Sequence, residues 1–417
     1  MAAFFMLRED KKMAIGPATL PVLHPVNGVR LGVASAGVKT AGRKDVVVIE
    51  MAKKSTLAGV FTKNAFCAAP VIVSKEHLNQ GKNRFLLINT GNANAGTGEK
   101  GLKDAYACCS ALADAAHVKQ ADIMPFSTGV IGEPLPVDKI INVFPAALDN
   151  LDESHWAEAA EGILTTDTRP KGACVQFIHD GQTITITGIS KGSGMIMPNM
   201  ATMLGFVATD AAISTELLQS LLVEAADLTF NRITVDGDTS TNDSCMLIAT
   251  GQSGAVLTQE NEALYRLFKD ALHQVMLELS LAIVRDGEGA TKLVTIRVEQ
   301  AATQEEALAT AYTVAHSPLV KTALFASDPN WGRILAAVGR AGVENLQLND
   351  LQIYLDEVCI VENGGRADSY TEEAGKRVMS QENILIKIVL NRGPINETVW
   401  TTDLSHDYVT INADYRS

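Results

Sequence analysis

The sequence predicts a layered α/β protein of mixed topology and not a doubly wound parallel sheet of the Rossmann type. Helices and strands alternate along the chain, but they lack the strict rhythm of βαβ units. Strand-like runs dominate the last 130 residues, so helical crossovers are too few for an all-parallel sheet. The length of 417 residues indicates two or three folding units, and a composition of 47% hydrophobic and 20% charged residues is that of a globular protein.

In the first two hundred residues, short apolar runs predict strands and stretches of 3.6-residue periodicity predict helices. A loop is expected over 89–98, where Asn and Gly tolerate positive φ. The predicted strands are 46–51, 58–61, 85–88 and 183–187, and the predicted helices are 103–117, 138–151 and 155–164.

Beyond residue 200, three stretches with one apolar face predict helices, the first of them capped by Ser214. Their ranges are 214–227, 260–283 and 330–339. Strands then dominate, at 293–298, 352–355, 358–361, 384–390 and 408–411.

Charge and hydropathy limit the partners. The net charge of −13 gives no overall basic field for nucleic acid or for an anionic membrane. No apolar run approaches the roughly 20 residues that span a bilayer, and the N-terminal apolar stretch is too short for a secretory signal. We therefore expect a cytoplasmic protein whose scattered cysteines, at positions 67, 108, 109, 174, 245 and 359, are reduced thiols.

Two motifs match known sites only in part. Residues 96–101 fit the G-x-G-x-x-G pattern, but Thr90–Ala95 lie between them and the strand, and Asp122 does not end an apolar run, so we interpret them as a surface turn. The cluster from Asp236 to Asp243 lacks the residues of a calcium loop or of an aspartyl phosphatase. It is interpreted as a polar site wall or a hydrogen-bonded turn. The dispersed histidines favour no metal site.

In the segment 190–210, a run of small residues and methionines leads directly into an apolar strand, and a single threonine, Thr202, lies near the start of that strand. One interpretation is a buried, hydrogen-bonded threonine in a core strand. The other is a nucleophile that uses its own α-amine as the base, which requires that the chain be cut between Ala201 and Thr202. A small residue before the cut and a Gly-rich approach favour the second interpretation.

At this segment the sequence resembles the self-processing centre of the ornithine acetyltransferases of arginine biosynthesis, also called glutamate N-acetyltransferases. The resemblance extends over six blocks in family order, at 126–132, 164–168, 191–204, 286–292, 328–333 and 408–417. It implies a layered α/β fold in which two segments, 1–201 and 202–417, form one body after self-cleavage.

The resemblance also implies the activity, a ping-pong transfer of acetyl from N2-acetylornithine to glutamate. No metal or redox cofactor is implied, and acetyl-CoA is a second acetyl donor in bifunctional members. The implied partners are small-molecule substrates and the chain's own cleaved segments, assembled as a heterotetramer of two α and two β chains.

The resemblance assigns each role to particular residues. Thr202 becomes the nucleophile and, with Ala201, the cleavage site, while Thr128 and Gly129 form the oxyanion hole. The amino-acid substrate is expected to contact a set in which Lys and Glu complement a zwitterion and the others satisfy its polar groups. That set is Thr165, Lys191, Thr202, Glu288, Asn412 and Ser417.

Two other functions remain open. A self-processing β-aminopeptidase-type hydrolase would use water as the final acceptor, and it does not need a Lys191/Glu288 pair matched to a zwitterion. A non-catalytic α/β binding protein would keep an uncut chain of 44.5 kDa.

Overall fold

A computed structural model describes residues 14–17, 19–80, 82–197 and 203–413. The strands of this part of the chain are β1 Val29–Ala34, β2 Val46–Met51, β3 Thr56–Phe61, β4 Phe85–Asn92, β5 Ile123–Val130, β6 Lys171–His179, β7 Gln182–Lys191, β8 Leu204–Thr209, β9 Ser244–Ala249, β10 Leu293–Ala301, β11 Gln352–Leu355, β12 Val358–Glu362, β13 Gly365–Arg366, β14 Asn383–Val389 and β15 Ile395–Thr402. The helices are α1 Ala69–Gln80, α2 Gly98–Ala116, α3 Val137–Ile141, α4 Phe144–Asp149, α5 Trp156–Gly162, α6 Thr215–Leu228, α7 Glu262–Arg285, α8 Gln304–Ala315, α9 Pro318–Phe325, α10 Trp331–Gly339, α11 Glu372–Met379 and α12 His406–Ala413.

The described residues form two compact units, of which the larger takes 19–284. It holds a four-stranded sheet, in the order β1-β2-β4-β5, and a five-stranded sheet, in the order β3-β9-β8-β7-β6. Both sheets are mixed: β4 and β5 are parallel, as are β8 and β9, and the other pairs are antiparallel. The five-stranded sheet takes strands from both sides of the predicted cleavage site at 201–202.

The two sheets of this unit pack face to face. Val47 and Ile49 on one sheet share an apolar core with Ile189 and Met246 on the other. Alternation along β2 sends the neighbouring valines to the opposite face, where the cluster includes Leu112 of α2. On the far side of the five-stranded sheet, the Ser190 hydroxyl donates to the Leu279 carbonyl of α7 at 3.3 Å. The unit is therefore layered as helix, sheet, sheet, helix.

The smaller unit takes residues 14–17 and 285–413. Its six-stranded sheet has the order β13-β12-β11-β14-β10-β15, with β10 and β14 parallel. Alternate β10 residues, among them Val294 and Ile296, enter one apolar core with residues of α8 and α10, such as Ala311 and Val338. This unit is a sheet covered by helices.

The layered α/β class predicted from the sequence is confirmed, and most predicted elements exist. Strands 46–51 and 352–355 have the predicted bounds. None of the helices in the described ranges is long and apolar enough to cross a membrane. All six cysteines lie in the described part of the chain and none forms a disulfide.

Three predictions of local structure were wrong. Residues 408–411 belong to helix α12, because the Ser405 hydroxyl accepts a hydrogen bond from the Tyr408 N–H and this capping outweighs the strand-like Tyr-Val-Thr-Ile composition. The helix predicted at 138–151 is two short helices, and the second has a proline in its first turn. The predicted loop at 89–98 is shorter, since parallel pairing with β5 extends β4 to Asn92.

Candidate active site

A buried carboxylate organises the candidate site. The Asp167 side chain has no exposed surface, and its Oδ1 lies 2.6 Å from Lys171 Nζ and accepts the Gly192 N–H at 2.7 Å. Its Oδ2 lies 3.8 Å from Lys191 Nζ and accepts the Thr165 N–H at 2.9 Å. One aspartate thus holds the start of β6, the end of β7 and its own loop together.

Charge explains why this aspartate stays ionised. Burial alone would raise the pKa of the Asp167 carboxyl, because a low-dielectric surrounding disfavours the charged form. The Lys171 and Lys191 ammonium groups, with the hydrogen bonds from Lys171 and Thr165, outweigh burial and hold the pKa well below its usual range. The cluster therefore carries one negative and two positive charges at neutral pH.

Lys191 connects this charge cluster to Thr128. It ends β7 with its side chain 10% exposed, and its Nζ donates to Thr128 Oγ1 at 3.3 Å. Thr128 lies near the end of β5, so the five-stranded and four-stranded sheets both contribute to the site. Two of the predicted site residues are in contact here, and Thr165 joins them through Asp167.

Gly129 occupies a point where no side chain fits. Its φ of +136° is unfavourable for other residues, and a Cβ there would lie 2.3 Å from the Gly91 carbonyl carbon. The β4–β5 register shifts at this point, with Asn92 paired to both Thr128 and Val130. The glycine permits a bulge that directs the backbone away from the regular ladder at Thr128 and Gly129.

The Gly-rich approach to residue 202 is held by Asp236, the first residue of the polar cluster from Asp236 to Asp243, and by the preceding Val235. Asp236 accepts the Met195 and Ile196 N–H groups at 2.6 and 2.8 Å, and the Ile196 carbonyl accepts the Val235 N–H at 2.7 Å. Met195 has a φ of +58°, which costs energy for a residue with a Cβ. The hydrogen-bonded turn interpretation of this cluster is confirmed, and the turn fixes a strained segment.

Glu288 and Asn412 meet in the smaller unit. The Asn412 amide donates to Glu288 Oε2 at 2.8 Å and also to the Tyr408 carbonyl of its own helix. Glu288 is only 8% exposed, whereas Asn412 is exposed. The pair is thus a nearly buried carboxylate whose orientation is fixed by a side-chain amide.

Ala201, Thr202 and Ser417 lie outside the described residues. The described chain resumes at Met203, directly after Thr202. Leu204 pairs with Lys191 on one side and with Ser244 on the other, and the Met203 carbonyl accepts the Ser244 N–H at 2.9 Å. The start of β8, two residues after Thr202, therefore lies beside Lys191.

Sequence reasoning missed Asp167, Lys171 and Asp236 as members of the site. Asp167 stood within the matched block 164–168, where only Thr165 received a role. The i, i+4 spacing of Asp167 and Lys171 was a usable signal, but in a loop this spacing does not predict contact. Asp236 was assigned to a polar cluster, but its contact with Met195 and Ile196 was not predicted.

The geometry suits acyl transfer. A hydroxyl and a backbone bulge lie at one strand end, and a buried ammonium contacts that hydroxyl. In the sequence, the candidate nucleophile Thr202 lies two residues before Leu204, the strand partner of Lys191. Comparison with known proteins agrees with this class. The chain matches the ArgJ family over residues 30–417 and belongs to that family, which confirms the resemblance found in the sequence.

Curated relatives match almost the whole chain. The arginine biosynthesis bifunctional protein ArgJ of Pseudomonas fluorescens (strain Pf0-1) is 60% identical over 408 residues, covering 97% of this chain and 100% of the relative. Its counterpart in Pseudomonas syringae pv. tomato (strain ATCC BAA-871 / DC3000) is 59% identical over 406 residues, with the same coverage. A crystal structure of the Bacillus halodurans protein of that name is 38% identical, with a TM-score of 0.48, and covers 50% of this chain and 97% of the crystallised one.

Replacing Asp167 with Asn should destabilise the protein strongly. The substitution keeps the shape but leaves two ammonium groups without their counter-charge, which costs about 3–5 kcal/mol for a buried pair. Urea unfolding at pH 7 measures the loss. D104N is the matched control, because its partner Lys100 is 63% exposed and such a surface pair contributes about 0–1 kcal/mol.

The pH dependence of the free energy of unfolding, compared between the native protein and D167N, tests the charge of Asp167. Because the folded pKa of Asp167 is lowered, its stabilisation is complete above the unfolded value of 3.8 and declines as the pH falls from there toward the folded value. The stability curves of the native protein and D167N should therefore converge below that pH. An equal loss in D167N and D104N at pH 7 would contradict the central role of Asp167.

Proposed function

We propose that this protein transfers an acetyl group from N2-acetylornithine to glutamate, giving ornithine and N-acetylglutamate in arginine biosynthesis. The observation that carries the proposal is the contact between Lys191 and Thr128 beside the start of β8. Family membership and the arginine-biosynthesis names of both relatives support the same activity. The acyltransferase class predicted from the sequence is confirmed at this level.

The reaction has two half-steps on one nucleophile. Thr202 Oγ attacks the acetyl carbonyl of the donor, its α-amine takes the hydroxyl proton, and ornithine leaves with that proton. The amine of glutamate then attacks the acetyl-enzyme and Thr202 is regenerated. Acetyl-CoA serves as a second donor, in keeping with the word bifunctional in the names of the relatives.

Thr128 and Gly129 stabilise the oxyanion in this proposal. The Thr128 oxygen accepts a hydrogen bond from the Lys191 ammonium, so the hydroxyl's own proton is directed to another acceptor. An oxyanion is such an acceptor, and one donor of this kind contributes about 3–4 kcal/mol to the transition state. The bulge at Gly129 supports a backbone N–H in the same role.

Substrate binding uses charges of both signs. Lys191 offers a cation to the substrate carboxylate, with Thr165 held beside it through Asp167. Glu288, oriented by Asn412, offers a carboxylate to an ammonium group. Thr202 and Ser417 complete the proposed substrate contacts.

Self-cleavage between Ala201 and Thr202 generates the α-amine. The strained turn at Met195, fixed by Asp236, supports this step because strain near a scissile bond favours its rearrangement. The products would be a segment of 201 residues and one of 216. Two copies of each, assembled as a heterotetramer in the cytoplasm, form the proposed mature enzyme.

The acceptor of the acetyl group distinguishes a transferase, which uses glutamate, from a hydrolase, which uses water. With acetylornithine and glutamate, the mature protein should form N-acetylglutamate and ornithine in equal amounts, because the amine of glutamate outcompetes water at the acetyl-enzyme. Chromatographic quantitation of N-acetylglutamate and free acetate measures the ratio, with acetyl-CoA as donor in a parallel reaction. Acetate as the main product, independent of glutamate, would assign a hydrolase instead.

Cleavage should be visible on a denaturing gel. Dividing 44.5 kDa in proportion to the two segments gives bands of about 21 and 23 kDa, and N-terminal sequencing of one fragment should begin Thr-Met-Leu-Gly. Thr202→Ala should remain a single uncut and inactive chain, whereas Thr202→Ser, which keeps a hydroxyl, should retain partial processing. A fragment with another first residue would exclude Thr202 as the nucleophile.

Removing the Thr128 hydroxyl should lower kcat and spare KM. Thr128→Val keeps the shape, and the loss of a donor that strengthens with the oxyanion should reduce kcat by roughly 10²–10³. Glu288→Gln, which weakens a charge contact held equally before and during reaction, should mainly raise KM. Rates must be expressed per cleaved chain, since the oxyanion donor also assists cleavage. A raised KM with unchanged kcat in Thr128→Val would make Thr128 a binding residue.

A further inference from the structure

Asp243 is a buried carboxyl group that the proposed acyl-transfer cycle does not use. The residue is 3% exposed, and its Oδ2 has no hydrogen-bond partner within the described part of the chain. A buried polar atom without a partner costs free energy and requires an explanation. Asp243 also directly precedes Ser244, the first residue of β9.

The sheet register places Asp243 beside the chain that enters β8. Leu204 pairs with Ser244 in the parallel β8–β9 ladder, and the Ser244 N–H donates to the Met203 carbonyl at 2.9 Å. On the opposite edge of β8, Leu204 pairs with Lys191. The chain immediately after Thr202 therefore passes between Lys191 and the Asp243–Ser244 dipeptide.

Neighbouring contacts bring the same dipeptide to the proposed oxyanion donors. Asn242, the residue before Asp243, donates through its amide to the Ser127 carbonyl at 2.9 Å and to the Ala93 carbonyl at 2.6 Å. Ser127 directly precedes Thr128 on β5. Two independent sets of hydrogen bonds thus fix Asp243 between the start of β8 and the end of β5.

The surroundings of Asp243 disfavour its charged form, so its anion binds a proton more strongly than an exposed carboxylate does. Burial raises the pKa of Asp243 well above its usual range, although hydrogen bonds from Ser240 and the Lys191 ammonium oppose the rise. Among the described residues, the Cys67 thiol also interacts with Asp243, and burial raises the pKa of that thiol. A carboxyl whose pKa is raised in this way is a stronger base than an exposed one, which suits general acid–base catalysis.

Self-cleavage needs a base that the mature enzyme does not. Before the chain is cut, the Thr202 nitrogen is part of the peptide bond and cannot accept the hydroxyl proton. Some other group must therefore take that proton in the precursor. This need exists only if the proposed function holds, so the inference rests on it.

We propose that Asp243 is the acid–base group of the self-cleavage step. The Asp243 carboxylate takes the Thr202 Oγ proton while Oγ attacks the Ala201 carbonyl carbon, forming a C–O bond. The same proton then passes from Asp243 to the Thr202 nitrogen as the C–N bond breaks, leaving an ester and a free α-amine. Water hydrolyses the ester, which restores the Thr202 hydroxyl and releases the Ala201 carboxylate.

The test measures the rate at which full-length chains are cleaved after a pulse of cell-free translation. Samples taken over time are separated on denaturing gels. Asp243→Asn, which keeps the shape but cannot accept the proton, should slow cleavage by about 10²–10⁴-fold, the usual contribution of a general base. Asp243→Glu should cleave faster than Asp243→Asn. Asp210→Asn is the matched control, because Asp210 is an equally buried carboxyl at the other end of β8 and should cleave at the native rate.

The second readout compares cleavage with acetyl transfer. In Asp243→Asn, the cleavage rate should fall at least ten times further than acetyl transfer per cleaved chain, since the α-amine is the base after maturation. Native-rate cleavage of this variant, or an equal fall in both activities, would overturn the proposal. If thermal unfolding shows that Asp243→Asn does not fold, the cleavage rate of the native chain is measured against pH instead. This rate should rise as the pH is raised from 5 toward 8. A flat profile would overturn the proposal.

The outcomes also separate this inference from the proposed function. A native chain that is cleaved at Thr202 while Asp243→Asn is cleaved equally fast rejects only the role of Asp243. A native chain that remains a single 44.5 kDa band rejects both, because no self-cleavage then occurs. Thr202→Ala, translated in parallel, provides the uncut reference band.

Discussion

The salt-bridged Asp167 carboxylate is the interaction on which the rest of the site depends. Its contacts join four residues, Lys171, Lys191, Gly192 and Thr165, which come from two strands and the loops beside them. Without this anion, two lysines could not remain buried beside each other. With it, one of them is held as a cation at the end of β7, where it reaches the Thr128 hydroxyl.

The arrangement also explains why a layered fold suits this chemistry. The proposed oxyanion donors, Thr128 and Gly129, lie on one sheet and the Lys191 ammonium lies on the other, so face-to-face packing of the sheets fixes the distance between them. Phe126 and Phe206 cross this interface with ring centroids 5.2 Å apart, edge to face. Phe126 lies two residues before Thr128, and Phe206 lies three residues after Met203. Core packing and site geometry are therefore set by the same residues.

The sequence could predict much of this, but only where the signal is local or is carried by a resemblance. Strand 46–51 is apolar except for Glu50 and was predicted with its bounds, whereas helix α12 depends on a cap from Ser405 that overrides β-branched composition. Lys191 and Thr128 were assigned through the family resemblance, since 63 residues separate two groups that hydrogen-bond in the fold. Asp167 also contacts Gly192, 25 residues further along the chain, and a partner at that distance has no periodic signal.

The most direct test of the central claim is to trap the acetyl-enzyme. The mature protein is incubated with N2-acetylornithine in the absence of glutamate, quenched in acid, and mapped by peptide mass spectrometry. We expect one acetyl group on the Thr202 hydroxyl, lost on addition of glutamate with the appearance of N-acetylglutamate. An unmodified Thr202 in protein that still transfers acetyl groups, or an acetyl group on Lys191 in its place, would contradict covalent catalysis at Thr202.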